Sequence, residues 1–290
     1  MEIPYQERPK TPERPKSEAE ARVMDEVAEL DIGLQLEKHP KIRERLAEIG
    51  THFEDSVDMA KIIRTVFGEL AKKLELKGED RERMMRAAVL HDIGKSGPPG
   101  KKGPFHEAVQ TLFVPPATPF RTHVDGRPKS IEEFMTEQGM SDREKLKADL
   151  AAAGIDADKE SIIDFWRRHA GWSYEILKGE SGTDVDADLI KVVATHHLFE
   201  NQNPATLDFH NAPKETQALL EQTEMIAAVD KYQAFRARGG MDHETTIVQL
   251  HKISDARPPD IPQTLRDKFK SVIDILDRNK DALEQYFERK

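Results

Sequence analysis

The sequence predicts an all-α helical bundle interrupted by a long, loop-rich insertion. Apolar residues recur at i+3/i+4 spacing in many segments, as in Val57, Ala60, Ile63, Val66, Phe67, Leu70 and Leu74, the period of a helix with one buried face. Alternating runs bounded by turn residues, the mark of strands, are almost absent. Between residues 96 and 157 the helical period lapses into Ser-Gly-Pro-Pro-Gly-Lys-Lys-Gly-Pro and Val-Pro-Pro-Ala-Thr-Pro, which read as loop.

Taken in order, residues 1–16 hold four prolines among many charges and are expected to form a disordered or loosely docked tail. Residues 17–290 are expected to form a single domain. Helices are predicted over 17–36, with Val23, Val27, Leu30 and Ile32 as an irregular apolar face, and over 40–49, 53–76 and 80–90, with Gly78 as a stop. Inside the insertion, about 97–157, two helices are predicted near 130–137 and 141–153. Ser141-Asp-Arg-Glu144 has the Ser-x-x-Glu form of a capping box. Helices resume at 159–168, 172–178, 186–197 and 214–236, and the amphipathic segments 263–278 and 280–289 close the bundle.

Composition narrows the function classes. The 290 residues carry a net charge of −10, which argues against general nucleic-acid binding, since that leans on Lys and Arg neutralising phosphates. No run of about 18 apolar residues is present, so no membrane span is expected, and the N-terminus lacks the apolar stretch of a signal peptide. The chain has no cysteine. That excludes disulfides and thiolate metal sites, and fits the expectation of a reducing, cytoplasmic setting.

Seven residues fall in an order that points to a metal site: His52, the pair His91-Asp92, His169, the pair His196-His197, and Asp230. Imidazole and carboxylate are the ligands that suit Zn, Fe or Mn, and each residue closes or opens an apolar helical run. His91-Asp92 ends Arg86-Ala-Ala-Val-Leu90, and Asp230 ends Met225-Ile-Ala-Ala-Val229. A carboxylate there is expensive to bury unless it is paired or metal-bound. Adjacent helical residues point about 100° apart, so His91 and Asp92 can share one cluster only if it lies at the helix terminus or between their directions. Gly94 fits such a terminus as a residue able to reverse the backbone. Lys95 projects a cation where a substrate phosphate would need one. The remaining histidines (His39, His106, His123, His210, His243 and His251) stand in no such order and read as surface or hydrogen-bonded side chains.

With these residues in view the chain resembles the HD-domain metal-dependent phosphohydrolases, and within them the HD-GYP branch. The resemblance spans roughly residues 48–238. The HDIGK motif is matched at every letter by His91 to Lys95. The HPxxGxxIL segment aligns on His169 to Leu177, keeping His169, Ile176 and Leu177 but with Ala170 and Ser173 in place of its Pro and Gly. The HHE triplet aligns on His196-His197-Leu198. The VADVYDAL segment resembles the stretch from Val229, with Gln233 where Asp is usual. The signature Gly-Tyr-Pro loop is replaced by Leu198-Phe-Glu-Asn-Gln-Asn-Pro-Ala205, which has no glycine to bring its backbone close to a ligand. Cyclic di-GMP is therefore not the expected substrate.

The resemblance implies two or three divalent ions held by His52, His91, Asp92, His169, His196, His197 and Asp230. It also implies a metal-bound hydroxide attacking a nucleotide or cyclic-nucleotide phosphoester, with Asp92 bridging metals or orienting the nucleophile and Lys95 gripping a phosphoryl oxygen. Glu48, four residues before His52, is a further ligand candidate. Arg121 and Arg127 in the insertion, with Lys101, Lys102 and Lys129, are candidates for substrate phosphate contacts if the insertion acts as a lid. The chain similarly resembles HD-fold mixed-valent diiron oxygenases such as myo-inositol oxygenase, which share the ligand order and a Lys after the His-Asp pair; the His196-His197 doublet favours the hydrolase. A degenerate protein that binds a ligand or partner is a third possibility, which the near-complete ligand set disfavours.

Overall fold

The helical period resolves into thirteen α-helices, with no β-strand among the described residues. The computed structural model describes residues 17–74, 76–100, 103–113, 122–123, 125–197, 214–257 and 261–287. The predicted tail, Lys101, Lys102, Arg121 and the loop 198–205 lie outside these.

α1 (Glu18–Leu30) starts at Ser17, whose hydroxyl accepts from the Glu20 amide, and buries Val23, Val27 and Leu30. Such a cap is worth about 1 kcal/mol. α2 (Pro40–Glu48) opens with a proline, which fits the first helical position because no amide is needed there. Its fully buried Arg43 donates to Glu20 Oε2 at 2.7 Å and ties α2 to α1. α3 (Thr51–Leu74) carries His52 in its first turn, and α4 (Gly78–Leu90) delivers His91 at its end. Gly78 thus opens a helix instead of only closing one.

α8 (Ile162–Lys178) is one continuous helix where two were expected. Gly171 costs roughly 1 kcal/mol in a helix interior, but Ile162, Phe165, His169, Ala170, Ser173, Ile176 and Leu177 form an unbroken buried stripe through it. α9 (Ala187–Thr195) and α10 (Lys214–Ala237) follow. α11 (His243–Asp255), which the periodicity did not predict, is capped by Asp242 accepting from the Thr245 amide. α12 (Gln263–Arg278) and α13 (Lys280–Glu284) complete the chain.

The insertion is more ordered than its composition predicts. It holds α5 (Pro104–Leu112), α6 (Ile131–Glu137) and α7 (Arg143–Ala152). α5 follows directly on the loop-like stretch that ends at Pro104, and that proline sits in its first turn and initiates it. The capping box lies one helix earlier than expected: Ser130 and Glu133 cap α6 reciprocally, while Asp142 precedes α7 without a side-chain cap bond.

Two apolar clusters organise the molecule. The larger joins α1–α4 and α8–α13. The smaller is built from the insertion (Val109, Leu112, Phe113, Ile131, Phe134, Leu146, Leu150) together with Ile162 and Phe165 on α8. The insertion therefore shares α8, the helix that also carries His169.

Candidate metal centre

Four helix ends and the interiors of two helices, α8 with His169 and α10 with Asp230, bring the predicted residues together. His91 caps α4, Asp92 begins a short 3-10 turn (Ile93–Ser96), His196 caps α9, His52 lies at the start of α3, and His169 sits mid-way along α8. The ring atoms of His169, His196 and His197 that can bind metal all lie within 4.8 Å of one another. Asp92 Oδ1 is 3.4 Å from His169 Nε2, and its Oδ2 is 3.4 Å from His91 Nε2 and 4.0 Å from His52 Nδ1. Asp230 Oδ1 is 3.5 Å from His91 Nε2. The two oxygens of Asp92 thus face different imidazoles.

The backbone fixes the tautomers of His52, His91, His169 and His196. A carbonyl can only accept, so a ring nitrogen bonded to one must carry the proton. His91 Nδ1 donates to Ala88 O at 2.7 Å, His169 Nδ1 to Trp166 O at 2.5 Å, and His196 Nδ1 to Val193 O at 2.6 Å. In each case the acceptor lies one turn back, and Nε2 faces inward. His52 is reversed: its Nε2 donates to Phe113 O at 2.7 Å, which turns Nδ1 toward Lys95 and Asp92. Orientation of an imidazole by a carbonyl on its far nitrogen is how proteins prepare metal ligands.

His169 Nε2 and His196 Nε2 stand 3.2 Å apart. Both protons are committed to carbonyls on the far side, so in the neutral rings two lone pairs face each other. Burial, chiefly, lowers His169 to about 3 and holds His196 well below the ordinary imidazole value, so protonation does not relieve the contact near neutral pH. Buried His91 Nε2 has no hydrogen-bond partner. Opposed lone pairs, an orphaned imidazole nitrogen and two carboxylates form a donor set that fits a divalent cation, and its all-N/O character suits Zn, Fe or Mn.

The charge balance agrees. Burial opposes ionisation of Asp92, but His91 and Lys95 outweigh it and hold the carboxyl well below its usual range. Asp230 is held low in the same way, burial being overcome by the His91 imidazole that faces it at 3.5 Å. Burial alone would lower His91, yet the carboxylates of Asp92 and Asp230 raise it. Lys95 Nζ donates to Asp92 Oδ2 at 2.6 Å and to His52 Nδ1 at 3.2 Å. Beside these two side chains opens a pocket of ≈ 360 Å³, also lined by Glu48, Thr51, Gln110 and Thr111.

A pH dependence follows for the metal-free protein. His52, lowered to about 3 by burial and then by Lys95, and His169, also about 3, stay neutral in the fold, whereas unfolded histidine protonates near 6.5. Between these values the unfolded state binds more protons, so stability falls as pH drops from about 6.5 towards 3. His91 acts oppositely: its contribution is full below 6.5 and is lost as pH rises through its raised value. His196 sides with the first two, so acid destabilisation is the expected net result. Urea unfolding at a series of pH values tests this, and His169→Gln is expected to flatten the slope.

The other predicted site residues lie elsewhere. Glu48 faces Arg45 at 3.6 Å and His106 at 3.4 Å and lines the pocket instead of the imidazole cluster. Arg127 is exposed and donates to Asp125 of its own turn at 2.8 Å. Lys129 is spent on Glu137. What the insertion does bring is α5. Its last carbonyls are capped from outside, Leu112 O by Trp166 Nε1 at 2.8 Å and Phe113 O by His52, and the Phe113 ring lies 6.0 Å from that of His169.

Residues 52–125 match the family model described as HD domain. The match covers His52 and the His91-Asp92 pair and supports the HD superfamily for this chain, whose members are mostly metal-dependent hydrolases. No curated protein and no solved structure matches the chain. Of the histidines outside the site, His39 pairs with Asp184, His123 with Glu133, and His243 with Tyr232 and Asp277. Sequence reasoning missed the orienting carbonyls, Phe113 and Ser173. Only Ser173 had left a signal, as a departure from the resembled motif.

Proposed function

We propose that this protein is a metal-dependent phosphohydrolase, akin to the HD-GYP branch, that acts on a nucleotide or cyclic-nucleotide phosphoester. The observation that carries the proposal is the pair of opposed Nε2 lone pairs on His169 and His196, with Asp92 between them and His91. His91, Asp92, His169, His196, His197 and Asp230 would hold the ions, with His52 joining through Nδ1. When bound, divalent ions acidify water and offset charge on a phosphoryl group.

The chain's own residues supply the rest. Carbonyls at Ala88, Trp166 and Val193 hold the imidazoles in ligating tautomers. Asp92 spreads its charge over two oxygens that face different rings. Lys95, at the pocket edge, donates to Asp92 and is placed to donate to a phosphoryl oxygen of a small substrate lodged there. No membrane or general nucleic-acid partner enters this proposal. No helix among the described residues is long and apolar enough to cross a membrane.

The test is metal analysis of anaerobically purified protein, with hydrolysis of bis-p-nitrophenyl phosphate and of a nucleotide panel, and oxygen uptake in parallel. Metal-dependent phosphoester hydrolysis is expected. Lys95→Ala is expected to keep its metal and lose on the order of tenfold or more in kcat/KM, the scale of one hydrogen bond to a charged group. Iron binding with substrate-dependent oxygen consumption and no phosphoesterase activity would instead establish the oxygenase.

A further inference from the structure

Ser173 is fully buried on α8, one turn beyond His169 and on the same face. A helical serine ordinarily bonds back to its own helix. Here the hydroxyl reaches across to a different element. It donates to His91 O at 3.0 Å and accepts from Gly94 N–H at 2.9 Å. His91 O belongs to a helix end, where carbonyls lack intrahelical donors. The two bonds therefore bracket Asp92, one on the residue before it and one two residues after it. The single hydroxyl proton and an acceptor lone pair are both used.

The fit leaves no slack. A Cβ on Gly94 would stand 2.8 Å from Ser173 Oγ and 1.9 Å from His169 O. The 3-10 turn and α8 are thus in direct contact at the point where Asp92 Oδ1 meets His169 Nε2 at 3.4 Å. Ser173 stands where the resembled segment carries glycine, so this tie is a property of this chain.

We propose that Ser173 is a positioning residue of the metal centre, holding the His91–Asp92 turn in register with His169 through its two hydrogen bonds. The proposal rests on the metal-centre reading of the cluster. Groups that orient ligands typically contribute about 10–100-fold to metal affinity. A residue that merely stabilises the fold lowers the stability of the metal-free and metal-loaded forms alike and leaves the affinity unchanged.

The experiment titrates metal-free wild-type and Ser173→Ala proteins with Co(II), using chelator competition for affinity and the visible absorption bands for coordination. Melting temperatures of both forms are measured alongside. Ser173→Ala is expected to lose about tenfold or more in Co(II) affinity and to change the band pattern. Should the alanine variant not fold, Ser173→Gly, which also removes the hydroxyl and adds no bulk, carries the same expectation. Wild-type affinity and spectrum in a folded Ser173→Ala or Ser173→Gly protein overturn the proposal. Failure of the wild type itself to bind Co(II) overturns the metal-centre reading, and this proposal with it.

Discussion

Replacing Gly94 with alanine is expected to disrupt the site and destabilise the protein together. The added methyl would lie 1.9 Å from His169 O and 2.6 Å from Ser173 N, both backbone atoms of α8. Neither can turn aside as a flexible side chain would, so the 3-10 turn and α8 must move apart. Overpacking of this kind costs about 1–3 kcal/mol and occasionally more. The separation also breaks the Gly94 N–H bond to Ser173 and parts Asp92 from His169. A fall in melting temperature and loss of bound metal are expected in the same variant. Gly68 supplies the control: it lies in α3 with nothing within 4 Å of a built Cβ. Gly68→Ala is expected to keep its metal and gain roughly 0.5–1 kcal/mol from helix propensity. Unchanged metal content and stability in Gly94→Ala would refute the packing argument.

Loss of the Asp92 carboxylate is expected to have the other large effect. Its oxygens face His52, His91 and His169 and accept from Lys95. Removing it leaves half-buried Lys95 and buried His91 without their nearest anion. Removing one partner of a buried ion pair costs roughly 3–5 kcal/mol. Asp92→Asn keeps the shape and deletes the charge, so it separates electrostatics from packing. Metal content and phosphoesterase activity are expected to vanish in both Asp92→Asn and Asp92→Ala. The His91 imidazole, followed by NMR in the metal-free protein, is expected to titrate at lower pH than in the wild type, because Asp92 is the first of the attractions that raise it. An unmoved His91 titration would show that Asp92 is not the group facing it.

Gly94 and Ser173 illustrate how much of the site could be read in advance. The motif from His91 to Lys95 was legible, including the need for a residue without a side chain at 94. The reason was not: Gly94 does not have a positive φ, unlike Gly97 at 93°. It is required by the approach of a helix from far along the chain. Gln233, read as a departure from the family, likewise donates to Asp55 Oδ1 at 2.7 Å and ties α10 to α3 just beyond His52. Composition misled in the insertion, where glycine and proline hid α5, because a proline at a helix start and a proline in a loop look alike without their neighbours. Spacing is equally silent on charge pairing among the described lid candidates. Exposed Arg127 and buried Lys129 each find a nearby carboxylate.

The sequence by itself determined the helical class, the apolar faces that bury most helices, and the ordered set of imidazoles and carboxylates. These are matters of local period and residue chemistry, carried by neighbours a few positions apart. Only the tertiary structure decided which ring nitrogen of each histidine faces inward, that Asp92 turns its two oxygens to different imidazoles, and that the insertion reaches the site through the end of α5. Those outcomes depend on carbonyls, hydroxyls and packed backbones that meet across long stretches of chain, such as Phe113 O with His52 and Ser173 with His91 and Gly94. No sequence period encodes such meetings, because they exist only once the helices have docked.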